Sequence, residues 1–117
     1  MVNIIFRHIS GSRATQVDVV AVGAHRELIL GRAPSAAVRF DLHRDTTVGR
    51  HHARIEPDAT DATQLRLLDL GSRNGTYLNG ARIVGPTAIH AGDILRLGEQ
   101  GPEVQVLIES TPAALVI

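Results

Sequence analysis

Turn-forming residues interrupt this chain so often that no window is left for a long helix. Ten short runs of apolar and β-branched residues lie between the turns, at residues 2–9, 16–22, 27–30, 37–40, 53–55, 64–70, 76–78, 81–83, 93–97 and 104–109. Most runs are separated by glycine, proline, asparagine or aspartate, which favour tight turns. Short strands at this spacing are typical of a β-sandwich or β-barrel, so the sequence predicts an all-β fold.

Two of these runs and one turn carry the clearest local signals. Within 104–109, Val104, Val106 and Ile108 fall on one face of a strand and the polar residues mostly on the other. Within 16–22, Val17, Val19 and Ala21 fall on one face. The dipeptide Asn79-Gly80 tolerates the positive φ angles of a two-residue type I′ turn. It therefore predicts a β-hairpin between the runs that flank it.

The length of the chain sets the number of domains. A chain of 117 residues with 44% hydrophobic and 21% charged residues can bury one hydrophobic core but not two. The serine, threonine and proline at residues 110–112 are typical of a domain end. We therefore expect one domain at residues 1–110, and a tail or the start of a linker at residues 111–117.

The composition removes several classes of function. The chain has no cysteine, so it has no disulfide, thiolate metal site or cysteine nucleophile, and the cytoplasm is the default location. Its apolar runs are far shorter than the roughly 20 residues of a membrane helix, and no secretory leader is recognisable. Twelve basic residues balance twelve acidic ones and only 3% of residues are aromatic, so we expect no membrane or nucleic-acid partner.

The chemical motifs of common enzymes are also missing. The sequence contains no HExxH, Gly-x-Ser-x-Gly, P-loop or dinucleotide-binding pattern. His51 and His52 are neighbours, so on a strand they point to opposite faces and do not chelate one metal easily. We therefore expect no enzymatic activity, cofactor or metal, and any anion-binding site must be local.

Four loop segments form one ordered pattern, which reads Gly31-Arg32, Gly49-Arg50-His51-His52, residues 69–80 (DLGSRNGTYLNG) and Gly92-Asp93. In order and spacing this pattern resembles the forkhead-associated (FHA) domain and covers nearly the whole chain. The resemblance implies an FHA-like β-sandwich of about ten or eleven short, mostly antiparallel strands. It also implies a threonine-phosphorylated protein or peptide as the partner.

The resemblance further assigns roles to individual residues. It implies that Arg32 contacts the phosphate, that Arg50 and Arg73 lie beside it, and that Asn74 bonds the peptide main chain. A doubly charged phosphate requires such a guanidinium and several directed donors. The residues expected to support these loops are Gly31, His52, Asp69, Gly75 and Asn79.

Gly49 departs from the family pattern, which usually has serine there. The serine hydroxyl donates to the phosphate, and losing such a bond costs about 1.5–3 kcal/mol, or roughly tenfold to a hundredfold in affinity. Arg73, Thr46 or Thr47 could replace that donor. Two hypotheses stay open: a phosphothreonine-dependent recognition module that is weakened or altered by Gly49, and a phosphorylation-independent interaction or self-association module.

Overall fold

The computed structural model describes residues 2–21, 27–58, 60–61 and 64–110. Within these ranges the chain forms eleven strands and no helix, which confirms the all-β prediction. The strands are β1 (Val2–His8), β2 (Val17–Ala21), β3 (Leu28–Gly31), β4 (Val38–Arg39), β5 (Ala53–Pro57), β6 (Leu65–Asp69), β7 (Thr76–Leu78), β8 (Ala81–Arg82), β9 (Thr87–Ile89), β10 (Ile94–Leu97) and β11 (Glu103–Ser110).

The strands form two sheets that pack face to face as a sandwich. One sheet has six strands in the order β2-β1-β11-β10-β7-β8, and the other has five in the order β4-β3-β5-β6-β9. All the pairings are antiparallel except that between β3 and β4. The prediction of about ten or eleven mostly antiparallel strands is therefore confirmed.

Alternating side chains of both sheets form the core between them. In β11, Val104 and Val106 are buried, and in β6, Leu65 and Leu67 are buried. Phe6 of β1, which is fully buried, is among the largest of these side chains. Burying such side chains removes apolar surface from water and fixes the strand register, because a shift of one residue would expose the whole face.

The hairpin at Asn79-Gly80 forms as expected. Asn79 has φ of 50° and Gly80 has φ of 88°, and Leu78 pairs directly with Ala81. Both central residues thus adopt the positive φ that a two-residue turn of this type needs. The dipeptide alone was sufficient to predict this hairpin.

Two other features differ from what the runs suggest. The strand β9 at Thr87–Ile89 was not predicted, because three residues between turns are too short to show a period. In β2 the shared apolar face points outward, and Val17 and Val19 are 54% and 63% exposed. The predicted tail at residues 111–117 lies outside the described residues.

Candidate functional site

Loops from both sheets meet at one end of the sandwich. Strands β3, β6 and β10 end there, and β5, β7 and β11 begin there. We call this end the rim and define it by the loops at residues 32–37, 40–52, 70–75 and 98–102. Because rigid strands hold the ends of all four loops, the rim can present polar groups in a fixed arrangement.

Gly31 allows the first two of these loops to touch. The Arg32 N–H donates to the Gly49 carbonyl at 3.0 Å, and the Ala33 N–H donates to the Arg50 carbonyl at 3.1 Å. A Cβ atom on Gly31 would lie 1.9 Å from the Arg50 carbonyl oxygen. Glycine is therefore required here for close approach of two backbones.

His52 connects the second loop to the third from a fully buried position. Its Nδ1 accepts from the Gly49 N–H at 2.9 Å, and its Nε2 lies 2.8 Å from the Gly75 carbonyl. These partners assign the neutral tautomer that carries its proton on Nε2. Burial lowers the pKa of His52, which favours this neutral form, although the bond to Gly75 acts in the opposite direction.

Asp69 folds the third loop back on itself. Its carboxylate accepts from the Ser72 N–H at 2.9 Å, from the Ser72 hydroxyl and, at 2.6 Å, from the Thr76 hydroxyl. Burial alone would raise the pKa of Asp69, but these hydrogen bonds outweigh it and hold the pKa below its usual value. Asp69 is thus an ionised acceptor that shapes the loop.

Asn74 and Thr47 join the third loop to the second, and the second to β10. The Asn74 Nδ2 donates to the Thr47 carbonyl at 3.0 Å, and the Thr47 hydroxyl donates to the Leu97 carbonyl at the same distance. The Gly98 N–H also donates to the Gly75 carbonyl at 2.8 Å. Direct hydrogen bonds therefore link all four loops of the rim.

Arg32 is anchored but not neutralised. One Nη atom donates to the Leu42 carbonyl at 2.6 Å, and the side chain has no carboxylate partner among the described residues. A carbonyl oxygen holds the guanidinium in place and leaves its positive charge uncompensated. The Nε is buried without a hydrogen-bond partner, and the second Nη atom remains free to bind another acceptor.

Gly49 has no backbone donor to offer. Its N–H is used by His52 Nδ1, and its carbonyl accepts from the Arg32 N–H. By contrast, the N–H of Arg50 has no acceptor among the described residues. In this part of the rim the available donors are thus on Arg50 rather than on Gly49.

Three arginines outside the rim loops pair with carboxylates, whereas those of the rim do not do so among the described residues. The arginines that pair with carboxylates are Arg13, Arg54 and Arg66. Arg50 and Arg73 are exposed on the rim, and neither has an acidic partner in the described ranges. The four rim loops hold four arginines against three carboxylates, Asp41, Asp45 and Glu99, so the rim is nearly neutral in sum and its available positive charge is that of these unpaired arginines.

Asn79 lies away from these loops, at the other end of β7. Its side chain accepts from the Ile94 N–H at 2.9 Å and donates to Asp93 at 3.0 Å. It therefore braces the turn before β10. The other predicted site and support residues lie in the rim loops or, for Gly31 and Asp69, on the strand ends that lead into them.

Sequence reasoning missed two residues that shape the rim. Asp45 is buried, with only 5% of its surface exposed. Its carboxylate accepts from the Asp41 N–H at 2.9 Å and from the hydroxyl and N–H of Ser12. Arg82 places its guanidinium against Gly75, whose added Cβ would lie 2.8 Å from the Arg82 Nε. Neither residue stands in a motif, because the Asp45 contact joins segments 33 residues apart and the Arg82 contact depends on the pairing of β7 with β8.

The candidate site is an open surface. A groove of about 630 Å³ lies beside the 40–52 loop, between it and residues 12–18, but none of Arg32, Gly49, Arg50, Arg73 or Asn74 lines it. An open surface of this kind suits an extended peptide.

The described residues show neither a metal site nor a membrane helix. No group of three or more histidine, aspartate or glutamate side chains in the described ranges could hold a metal. The described part of the chain also contains no helix long and apolar enough to cross a membrane.

Comparison with known proteins identifies the family. The model of the FHA domain matches residues 28–98, which include Gly31-Arg32, the Gly49 to His52 segment and the loop from Asp69 to Gly75. The chain belongs to the FHA domain family. FHA domains are interaction modules rather than enzymes, and membership supports a role in protein–protein interaction.

Individual relatives agree with this assignment. An FHA domain from a structural and functional analysis of phosphothreonine-dependent interactions is 28% identical, with a TM-score of 0.72 over 93% of this chain and 99% of that one. The FhaA FHA domain, solved in complex with the intracellular domain of another protein, is also 28% identical, with a TM-score of 0.68 over 88% of this chain and 98% of that one.

One curated relative is a much larger protein. An ABC transporter ATP-binding/permease protein of Mycobacterium tuberculosis is 35% identical over an alignment of 77 residues that covers 60% of this chain. The chain spans only 8% of that protein's length. The similarity therefore covers only a short segment of that protein.

Two glycines of the FHA domain test the close contact of the first two loops. Gly31→Ala should lower the free energy of unfolding by roughly 3 kcal/mol, because the added Cβ collides with the Arg50 backbone. Gly49→Ala is the matched control, since its Cβ would have no neighbour nearer than 3.8 Å. Urea denaturation measures both. Equal stability of the two variants would contradict the contact.

His52 should make stability depend on pH. Its folded pKa lies below the ordinary value of 6.5, so the unfolded chain binds more protons and the free energy of unfolding falls as the pH drops below 6.5. Burial lowers the pKa of His8 as well, so it adds to this slope.

Thermal melts between pH 7.5 and 5.5 measure the effect. His52→Gln should be less stable at pH 7.5 and should lose part of the slope, whereas His51→Gln, at an exposed position, should match the wild type. A slope in His52→Gln that equals the wild-type slope would assign the pH dependence to other groups.

Proposed function

We propose that this FHA domain binds a protein segment that carries phosphothreonine, and that the phosphate lies on the rim beside Arg32. The observation that supports this most is the direct linkage of the loops. Arg32 bonds to Gly49, Asn74 bonds to Thr47, and His52 bridges the second and third loops. This linkage presents arginine side chains without acidic partners on one surface.

The chemistry of the rim matches that of a phosphate monoester. Such a group carries about −1.5 to −2 charges and three strong acceptor oxygens. Arg32 supplies an anchored guanidinium, and Arg50 supplies a free N–H together with an exposed guanidinium. Asn74 keeps its carbonyl oxygen and one N–H for the peptide main chain, since only one Nδ2 hydrogen is used by Thr47.

Gly49 makes this site poorer in donors than a serine would. No hydroxyl is present, and the Gly49 N–H is already bonded to His52. The phosphate therefore depends on arginine charge more than on short hydroxyl bonds. We expect weak binding that decreases as salt increases, because exposed charges are screened.

The first test removes the anchored guanidinium. Arg32→Ala should weaken binding of a phosphothreonine peptide roughly tenfold to a hundredfold, because a charge-assisted hydrogen bond contributes about 1.5–3 kcal/mol. Fluorescence anisotropy with a labelled peptide measures the affinity. The same peptide with unmodified threonine should not bind.

Arg7→Ala is the charge-matched control for this experiment. Arg7 is exposed on β1, where it bonds to Gln105, and its loss changes the net charge equally. Its affinity for the phosphopeptide should stay close to that of the wild type. If both variants bind equally well, or if the unmodified peptide binds as tightly, the rim does not read phosphate through Arg32.

The second test restores the missing hydroxyl. Gly49→Ser should raise phosphopeptide affinity about tenfold or more, because its Cβ fits and its hydroxyl adds a donor to a charged group. Gly49→Ala adds the same Cβ without the hydroxyl and should give no gain. Equal affinities of the two variants would place the phosphate away from Gly49.

Two further expectations, on the domain bounds and the cellular location, complete the proposal. We propose residues 1–110 as the domain and residues 111–117 as a tail or linker, and the described strands fill the first of these ranges up to Ser110. We also propose a cytoplasmic location, in keeping with a chain that uses no disulfide.

A further inference from the structure

The strand β2 is the longest edge strand of the two sheets in the described residues. It ends the six-stranded sheet, and β1 is its only partner among the described residues. The other terminal strands are shorter: β4 and β8 have two residues each and β9 has three, whereas β2 has five. Long open edges present unpaired backbone groups to other strands.

The backbone groups that face outward can be assigned from the ladder. The His8 N–H donates to the Gln16 carbonyl, and bonded pairs then alternate along an antiparallel ladder. Asp18 and Val20 therefore direct their backbone groups toward β1. Val17, Val19 and Ala21 direct theirs toward the open side.

The outward side chains of β2 offer no protection against pairing. Natural edges are often blocked by proline, lysine or an inward charge that opposes pairing. β2 has no proline and no basic residue, and its outward side chains are Val17, Val19 and Ala21. Val19 continues across the outer face in register with Ile5 and Leu107, so the edge adjoins an apolar row.

The one charge on β2 is neutralised inside the domain. Asp18 lies opposite the buried Phe6, so its side chain is on the inner face. Its carboxylate accepts two bonds from Arg13, at 2.6 and 2.7 Å, and lies 3.0 Å from the His8 Nε2. Its charge therefore does not repel an approaching strand.

We propose that β2 pairs with β2 of a second copy of this chain, antiparallel and with the two-fold axis at Val19. The three outward-directed residues then exchange backbone hydrogen bonds with the same three residues of the other copy. Directly opposite residues share a face, so Val17 meets Ala21 and Val19 meets Val19, while Asp18 meets Val20. No like charges face each other, and the zero net charge of the chain adds no general repulsion.

Sedimentation velocity over a range of concentrations tests the pairing in the full chain. The wild type should shift from monomer to dimer as its concentration rises toward about 1 mM, the range of a weak complex. Val19→Lys should raise the dimer dissociation constant at least about tenfold, because the two new ammonium groups face each other across the axis. The position is exposed, so the variant should fold.

Val84→Lys is the matched control, because it makes the same chemical change at a position away from β2. Val84 is fully exposed in the loop between β8 and β9. It should dimerise like the wild type. A wild type that stays monomeric throughout overturns the proposal and leaves the edge to another occupant, such as residues 111–117 or a strand of another protein. A dimer that Val19→Lys does not weaken also overturns it.

Amide hydrogen exchange distinguishes edge pairing from stacking of the outer faces. In concentrated samples the N–H groups of Val17, Val19 and Ala21 should gain protection several-fold over dilute samples. Those of Asp18 and Val20, which are already bonded to β1, should change little. Protection without this alternation would contradict pairing through β2.

Discussion

The buried imidazole of His52 is the contact on which the arrangement of the rim depends. It holds the Gly49 N–H on one side and the Gly75 carbonyl on the other, and it can do both only as the neutral tautomer. The 40–52 loop and the 70–75 loop come from different parts of the chain, so no local turn fixes their separation. A buried side chain that bonds to both loops holds them at a fixed distance, so that they form one continuous surface.

The same contact changes the meaning of Gly49. Glycine at this position lacks the hydroxyl of serine, and its backbone N–H is the one donor that it could offer. In the structure that N–H donates to His52 Nδ1 and is not available to a ligand, although a Cβ at this position would have room. In the proposed function, anion binding at the rim therefore rests on arginine, and Arg32, Arg50 and Arg73 are available for it because they have no acidic partners in the described ranges.

Local signals predicted the fold well because turn-forming residues in the sequence mark the ends of most strands. Asn79-Gly80 specifies its hairpin through backbone φ alone. The strand Thr87–Ile89 has no such signal, and it exists because β6 offers it a partner. The family pattern named residues that the structure brings together in or beside the rim loops, except Asn79, and their role in binding stays a prediction. Contacts such as Asp45 with Ser12 were not predictable, because they join distant segments and depend on tertiary packing.

Pairing through β2 would also determine how two rims are arranged. Each β2 begins near the rim and runs away from it, since Val17 pairs with Arg7 close to the end of β1. In an antiparallel pair of these strands, the rims therefore lie at opposite ends of a continuous twelve-stranded sheet, six strands from each copy. Two phosphorylated sites close together in one short peptide could not reach both rims. Such a dimer would instead join two separate phosphorylated chains, and its avidity would depend on the distance between them.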